Sequence, residues 1–171
     1  MIAHGNKIKL FAGNGNKALA QEIAKELHMP LGDMVVGKFS DGETSVQINE
    51  SVRGDDIYVM VDVTNYSLSY PIGPYTNLMS PDDHFQDMKR VIAAVGGKAR
   101  RVNVIMPYLY ESRQDKRVGR ESLDCANALH ELIDMGVENI ITFDAHDSRV
   151  QNATPLHGFE TVQPSYQFIK A

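Results

Sequence analysis

Apolar positions along the chain fall into two rhythms that alternate from one end to the other. Short apolar runs at residues 7–12, 34–39, 57–63, 102–106 and 137–143 have the length and composition of strands, and the last three are apolar enough for burial on both faces. Between them, Leu19, Ile23 and Leu27 stack four apart in a helix over residues 16–29, which Pro30 and Gly32 end. Phe85, Met88, Val91, Ile92 and Val95 share one face of a helix over 82–95, stopped by Gly96 and Gly97. Ala126, Leu129, Leu132 and Ile133 repeat that logic over 122–135, with Ser122 a candidate N-cap and Gly136 at the far end. Residues 44–48 alternate polar and apolar after the turn Ser40-Asp41-Gly42, which predicts a hairpin with the strand before it. Strands alternating with helices predict an α/β fold, a mostly parallel sheet flanked by helices with a β-hairpin extension.

Two stretches break the rhythm. Residues 64–81, rich in Tyr, Ser, Pro and Gly, read as a long loop, and loops beyond about 15 residues are usually functional or mobile. Residues 162–171 place Tyr166, Phe168 and Ile169 at helical spacing, yet the sequence stops after barely one turn. The division expected is one domain over 1–150, with 151–171 a linker or the start of an interrupted second domain.

Composition narrows the class without changing this picture. At 171 residues, 43% hydrophobic and 23% charged, the chain is an ordinary globular domain and has no run approaching the ~20 apolar residues of a membrane span. Residues 1–9 lack the pattern of a secretory signal. Its single cysteine, Cys125, excludes an intrachain disulfide framework and fits a reducing cytoplasm; inside a helix it reads as a packed thiol. A net charge of −5 argues against broad nucleic-acid binding, so an anionic ligand must meet a local basic cluster.

Candidate chemistry gathers where strands end, the position at which open α/β sheets bind ligands. The run 137–143 gives way to Asp144-Ala145-His146-Asp147, a histidine between carboxylates suited to a metal or phosphate site. The run 102–106 gives way to Pro107-Tyr108-Leu109-Tyr110 and then to Arg113-Gln114-Asp115-Lys116-Arg117, whose guanidinium groups suit phosphate oxygens. Phe39-Ser40-Asp41-Gly42-Glu43 admits two readings, an ordinary hairpin turn or a stacking ring with acceptors for an amine or hydroxyls. Gly13-Asn14-Gly15-Asn16-Lys17-Ala18 matches a dinucleotide-binding turn only weakly, since the second strand ends in Val36-Gly37-Lys38 without the acidic residue such sites use for ribose. The other histidines, His4, His28, His84, His130 and His157, have no comparable partner set and read as structural or surface groups.

Taken together and in order, these motifs resemble the N-terminal half of the ribose-phosphate pyrophosphokinase family, also called phosphoribosyl pyrophosphate synthetases. The resemblance runs from Leu10-Phe11-Ala12-Gly13-Asn14, through Phe39-Ser40-Asp41-Gly42-Glu43 with Val46-Gln47-Ile48-Asn49-Glu50 and Val52-Arg53-Gly54, to Pro107-Tyr108, Arg113-Gln114-Asp115 and Asp144-Ala145-His146. It implies a phosphoribosyltransferase-type domain and an enzyme of nucleotide biosynthesis, a kinase-type transferase that moves the diphosphoryl group of ATP to ribose 5-phosphate and releases AMP. It implies ATP contacts at Arg113, Gln114, Asp115 and His146, with Phe39, Asp41 and Glu43 reaching the nucleotide of a neighbouring subunit in a homo-oligomer. It implies Mg²⁺ held near His146, Asp144 and Asp147. No catalytic residue is expected in this half, because the family's ribose 5-phosphate loop and mobile catalytic loop belong to a second domain with no counterpart here. Two alternatives stand beside a short or truncated member of the family: a non-catalytic nucleotide-binding or regulatory subunit, and an unrelated dinucleotide-dependent oxidoreductase using the Gly13 turn.

Three departures from the family pattern stand out. Leu109-Tyr110-Glu111-Ser112 replaces an aromatic, glycine, tyrosine and alanine, Asp147 replaces a small residue, and the 64–81 segment looks longer and more irregular.

Overall fold

The computed structural model describes residues 7–171, so His4 lies outside the described residues. Five strands form one parallel sheet in the order β1 (Ile8–Ala12), β4 (Asp56–Met60), β7 (Arg101–Met106), β8 (Val137–Phe143), β9 (Gly158–Val162). Because successive side chains of a strand point to opposite faces, each strand feeds two packing layers. Phe11, Ile57, Val59, Val102, Val104 and Met106 face α2 (Pro81–Val95) and α3 (Asp124–Asp134) in the larger core. Leu10, Ala12 and Met60 face Ala20 of α1 (Lys17–Glu26) in a smaller one. The result is the predicted α/β sandwich of a mostly parallel sheet between helices.

The helices carry the faces that their spacing promised. Phe85, Met88, Val91, Ile92 and Val95 of α2 are all buried. In α3 the buried set is Cys125, Ala128, Leu129 and Leu132, a face rotated slightly from the expected one, with Ala126 and Ile133 only half-buried. Helix α1 is shorter than the 16–29 expectation, because a 3-10 turn, Asn14–Asn16, precedes it and His28 adopts a positive φ of 52° just after it. Ser122 is not the N-cap of α3. Leu123 takes that place without a side-chain cap, while the Ser122 hydroxyl donates to Asp124 Oδ2 at 2.6 Å.

The predicted hairpin forms as β2 (Met34–Lys38) paired antiparallel with β3 (Thr44–Ile48), a separate two-stranded sheet packed on α2. The 64–81 segment is not a structureless loop. It holds a second hairpin, β5 (Ser69–Ile72) with β6 (Tyr75–Leu78), turning at Gly73-Pro74. The chain then forms a 3-10 helix, Ser148–Ala153, and β9 alongside β8, where a Cβ on Gly158 would press against the Asn139 side chain. The chain finishes in α4 (Ser165–Lys170), which buries none of its residues. No helix among the described residues is long and apolar enough to cross a membrane.

Candidate nucleotide site at the strand ends

The carboxyl ends of β7 and β8 lie side by side, and their loops are cross-linked. Phe143 N donates to Pro107 O at 3.3 Å, which starts both loops from one place. Asp144 turns the chain with a positive φ of 42°, its amide donating to Val162 O at 3.1 Å and the next amide, of Ala145, to Thr161 Oγ1 at 3.1 Å. Strand β9 therefore fixes the direction in which His146 leaves the sheet. His146 Nδ1 meets Asp115 Oδ2 at 2.8 Å; the Asp115 side chain is 4% exposed and that of His146 54%. A carboxylate at Nδ1 makes that nitrogen the N–H donor and leaves Nε2 as the one available to a ligand.

The next carboxylate is already committed. Arg149 grips Asp147 at two points, Nε to Oδ1 at 3.0 Å and NH2 to Oδ2 at 2.6 Å, and the Arg149 amide adds a bond to Oδ1 at 2.9 Å. Lys116 from the other loop approaches Oδ2 at 3.1 Å. The Arg149 hydrogen bonds, with Lys116 behind them, hold the Asp147 carboxyl well below the usual carboxylate range. The expected trio His146, Asp144 and Asp147 is not assembled into a metal cage, and no group of three or more His, Cys, Asp or Glu side chains placed to hold a metal occurs among the described residues. Of the three, His146 offers a nitrogen where Mg²⁺ wants oxygen, and the Asp147 oxygens are taken up by Arg149 and Lys116, so they do not form a resident Mg²⁺ site.

The basic segment divides into structural and exposed members. Gln114 Nε2 donates to Lys116 O at 3.2 Å and Ser122 O at 3.0 Å, closing the loop into α3, so its amide holds the segment's shape. Arg113, Arg117 and Arg120 are exposed. Arg113 lines a cleft of about 150 Å³ with Thr64, Pro81, Tyr108 and Glu111, the last at a positive φ of 56°. Tyr110 stacks on Phe85 with ring centroids 4.2 Å apart and donates to Asp82 Oδ1 at 2.6 Å. Burial and the Asp82 carboxylate push its phenol far above the ordinary range. Cys125 is buried below this loop, and desolvation, with Asp115 and Glu111 adding to it, pushes its thiol up to about 11, as befits a packed residue.

Phe39, Asp41 and Glu43 sit elsewhere, at the tip of the β2–β3 hairpin. Phe39 N donates to Glu43 O at 2.7 Å, Gly42 N to Phe39 O at 3.0 Å, and Glu43 N to the Asp41 carboxylate at 3.0 Å. Gly42 has a φ of 92°, the left-handed conformation that glycine adopts without strain. The loop is a closed turn with Phe39 56% exposed, and no hydrogen bond or ion pair among the described residues joins it to Arg113 or His146. The geometry is that of an ordinary turn with the Phe39 ring turned outward.

The Gly13 turn is filled by the protein itself. Asn14 Nδ2 donates to Val36 O at 3.0 Å and Asn65 Nδ2 to Gly15 O at 2.8 Å, and the Asn65 side chain lies against Gly15, where a dinucleotide-binding turn would leave its phosphates room. Sequence reasoning did not find the partners Lys116 and Arg149 of Asp147, nor Asp82 of Tyr110. Lys116 stood inside the basic run; the other two carried no signal.

Comparison with known proteins converges on one family. A family model described as the N-terminal domain of ribose phosphate pyrophosphokinase matches residues 8–136. A ribose-phosphate pyrophosphokinase of Bradyrhizobium diazoefficiens is 36% identical over 153 residues, covering 88% of this chain and 44% of that protein. The one of Shewanella oneidensis is 37% identical over 146 residues, covering 84% of this chain and 42% of that protein. The crystal structure of phosphoribosylpyrophosphate synthetase from Mycobacterium smegmatis superposes with a TM-score of 0.81 at 25% identity, over 96% of this chain and 51% of that one. The chain spans less than half the length of these curated relatives. A family model that takes in β1, the helices α1, α2 and α3 and the Arg113 segment, on a fold shared with the solved synthetase, places the chain in the family of the N-terminal domain of ribose phosphate pyrophosphokinase.

Proposed function

We propose that this chain is the ATP-side part of a cytoplasmic ribose-phosphate diphosphokinase. In that reaction the anomeric hydroxyl oxygen of ribose 5-phosphate attacks the β-phosphorus of ATP, the bond from that phosphorus to the α,β-bridging oxygen breaks, and AMP departs. Such transfers depend on positioning and charge neutralisation rather than on covalent catalysis by the protein. The observation that carries the reading is the cross-linking of the two strand-end loops, with His146 held by Asp115, two residues along from the exposed Arg113, and Lys116 paired with Asp147.

In this reading Arg113 binds phosphate oxygens, and His146 meets the Mg²⁺·ATP complex through Nε2, oriented by Asp115. Magnesium enters with the nucleotide as part of the substrate. Gln114 keeps the loop in shape. Phe39, Asp41 and Glu43 serve the adenine and ribose of a neighbouring subunit's nucleotide, which suits a ring left 56% exposed at a hairpin tip and makes the working form a homo-oligomer. Ribose 5-phosphate and the catalytic groups are assigned in this reading to the part of the relatives' length that the matched region does not cover.

Calorimetric titration with a non-hydrolysable ATP analogue, with and without Mg²⁺, tests the reading. Magnesium-dependent binding weakened about tenfold or more by Arg113→Ala and by His146→Ala is expected, a loss of about 1.4 kcal/mol or more. Binding indifferent to both substitutions, or none at all in a folded sample at millimolar analogue, overturns it.

A further inference from the structure

The first turn of α2 carries two adjacent carboxylates that reach in different directions. Asp82 Oδ1 accepts the Tyr110 hydroxyl at 2.6 Å, and Tyr110 sits in the segment that leads to Arg113. Asp83 Oδ1 accepts the Tyr70 hydroxyl at 3.2 Å, and Tyr70 belongs to β5 of the second hairpin. That hairpin leans on the tip of the first: Gly73 N donates to Ser40 O at 3.4 Å, and a Cβ on Gly42 would meet the Tyr70 ring at 3.3 Å and Ile72 at 3.2 Å. Lys38, the last residue of β2, lies 4.9 Å from the Tyr70 ring centroid and pairs with Asp87 of α2 at 2.7 Å, both side chains 13% exposed. Asn77 Nδ2 donates to the Tyr70 hydroxyl at 2.9 Å and closes the hairpin around it. Phe85, one turn along the helix, stacks under Tyr110.

Two contacts thus converge on one helix end, one from the segment that carries Arg113 and one from the hairpin that packs against the 39–43 loop. Neither is an accident of an exposed chain: Tyr70 is 8% exposed, and both hydroxyls donate to carboxylates. We propose that the N-terminal turn of α2 is a two-armed brace, in which Tyr110 and Tyr70 act as positioning residues that set the 108–116 phosphate segment and the 39–43 base-facing loop in fixed relation. Since the 39–43 loop serves a neighbouring subunit, the brace couples a subunit's own nucleotide site to the one it completes next door. This rests on the proposed function for its ligand, but its mechanical part stands apart from it.

Hydrogen exchange separates the two. The amides of Gly42 and Glu43 report the loop, bonded to Phe39 O and the Asp41 carboxylate, and those of Ser112 and Gln114 report the phosphate segment, bonded to Leu109 O and Glu111 O. Tyr70→Phe and Tyr110→Phe each remove one hydroxyl and keep the ring. Each is expected to speed exchange about tenfold in its own arm and about threefold in the other, with the β7 and β8 amides unchanged. In the double variant, affinity for the Mg²⁺-loaded ATP analogue is expected to fall by less than the product of the two single losses. Exchange confined in each case to the substituted arm, or multiplicative losses, overturns the brace. Should Tyr70→Phe fail to fold, Ile72→Ala loosens the same arm and is read in the same way. If the parent chain binds no nucleotide, the functional reading falls while the exchange arms still decide the coupling.

Discussion

Asp147 shows how a single side chain changes meaning once its neighbours are placed. As a carboxylate one residue past His146 it reads as a metal ligand, yet it spends its oxygens on Arg149 and Lys116. Its folded pKa is depressed, so its contribution to stability is present above the unfolded carboxylate pKa of about 4 and is lost as pH falls through the folded value. Replacing it tests the assignment by sign. Asp147→Asn frees two cations beside the proposed phosphate site, and affinity for the Mg²⁺-loaded ATP analogue should rise about two- to fivefold with a steeper dependence on salt. A fall in magnesium-dependent affinity would restore the carboxylate to the metal. Cys125 gives the opposite shift. With its thiol pushed up to about 11 by burial, its stabilising contribution is complete below an ordinary thiol pKa near 8.5 and fades as pH rises toward the folded value. Alkylation by iodoacetamide at pH 8 should therefore be at least about a hundredfold slower than in urea-unfolded chain; equal rates would mean an accessible thiolate. The type of residue at 125, 146 and 147 was open to inspection from the start. The direction in which each side chain points was not, because Arg149 and Lys116 reach Asp147 through a 3-10 turn and a second loop.

The segment 64–81 is where one element was misread, for reasons of chemistry. Strands β5 and β6 have four residues each, Pro71 sits inside the first and Pro74 in the turn between them, and β6 is exposed throughout, so no apolar alternation announces them. Their order comes from Tyr70 packing beneath the first hairpin, a contact between residues far apart in the chain. At the end of the same segment the local signal was strong. Ser80 and Asp83 form a reciprocal capping box, Asp83 N to Ser80 Oγ at 3.2 Å and Ser80 N to Asp83 Oδ2 at 2.8 Å, with Pro81 next in line. Ser80→Ala should cost about 1 kcal/mol of unfolding free energy in urea titration. An unchanged midpoint would mean that Asp83 and Pro81 start the helix unaided. Helix α3 shows the reverse case: Ser122 has the right chemistry for a cap, but Gln114 holds its carbonyl in the preceding loop, and the helix begins uncapped at Leu123.

The whole molecule is a five-stranded parallel sheet that buries helices on both faces and leaves its last helix uncovered. In α4, Tyr166, Phe168 and Ile169 are 66%, 78% and 86% exposed, large apolar side chains left to solvent of the kind that drive association. Phe168→Ser with Ile169→Lys should reduce self-association in dynamic light scattering and leave the melting temperature within about 2 °C, since neither side chain is buried. A large drop in melting temperature would show that α4 packs on the domain. The alternation of strand and helix and the buried face of α2 follow from local periodicity and composition, which operate over a few residues and are written directly in the chain. The pairing of His146 with Asp115, the approach of Lys116 to Asp147, the entry of β9 into the sheet and the anchoring of Tyr70 and Tyr110 on the first turn of α2 depend on contacts between residues well apart in the chain. Those contacts exist only after the core has closed and set the strand ends side by side, so no short window of sequence contains them.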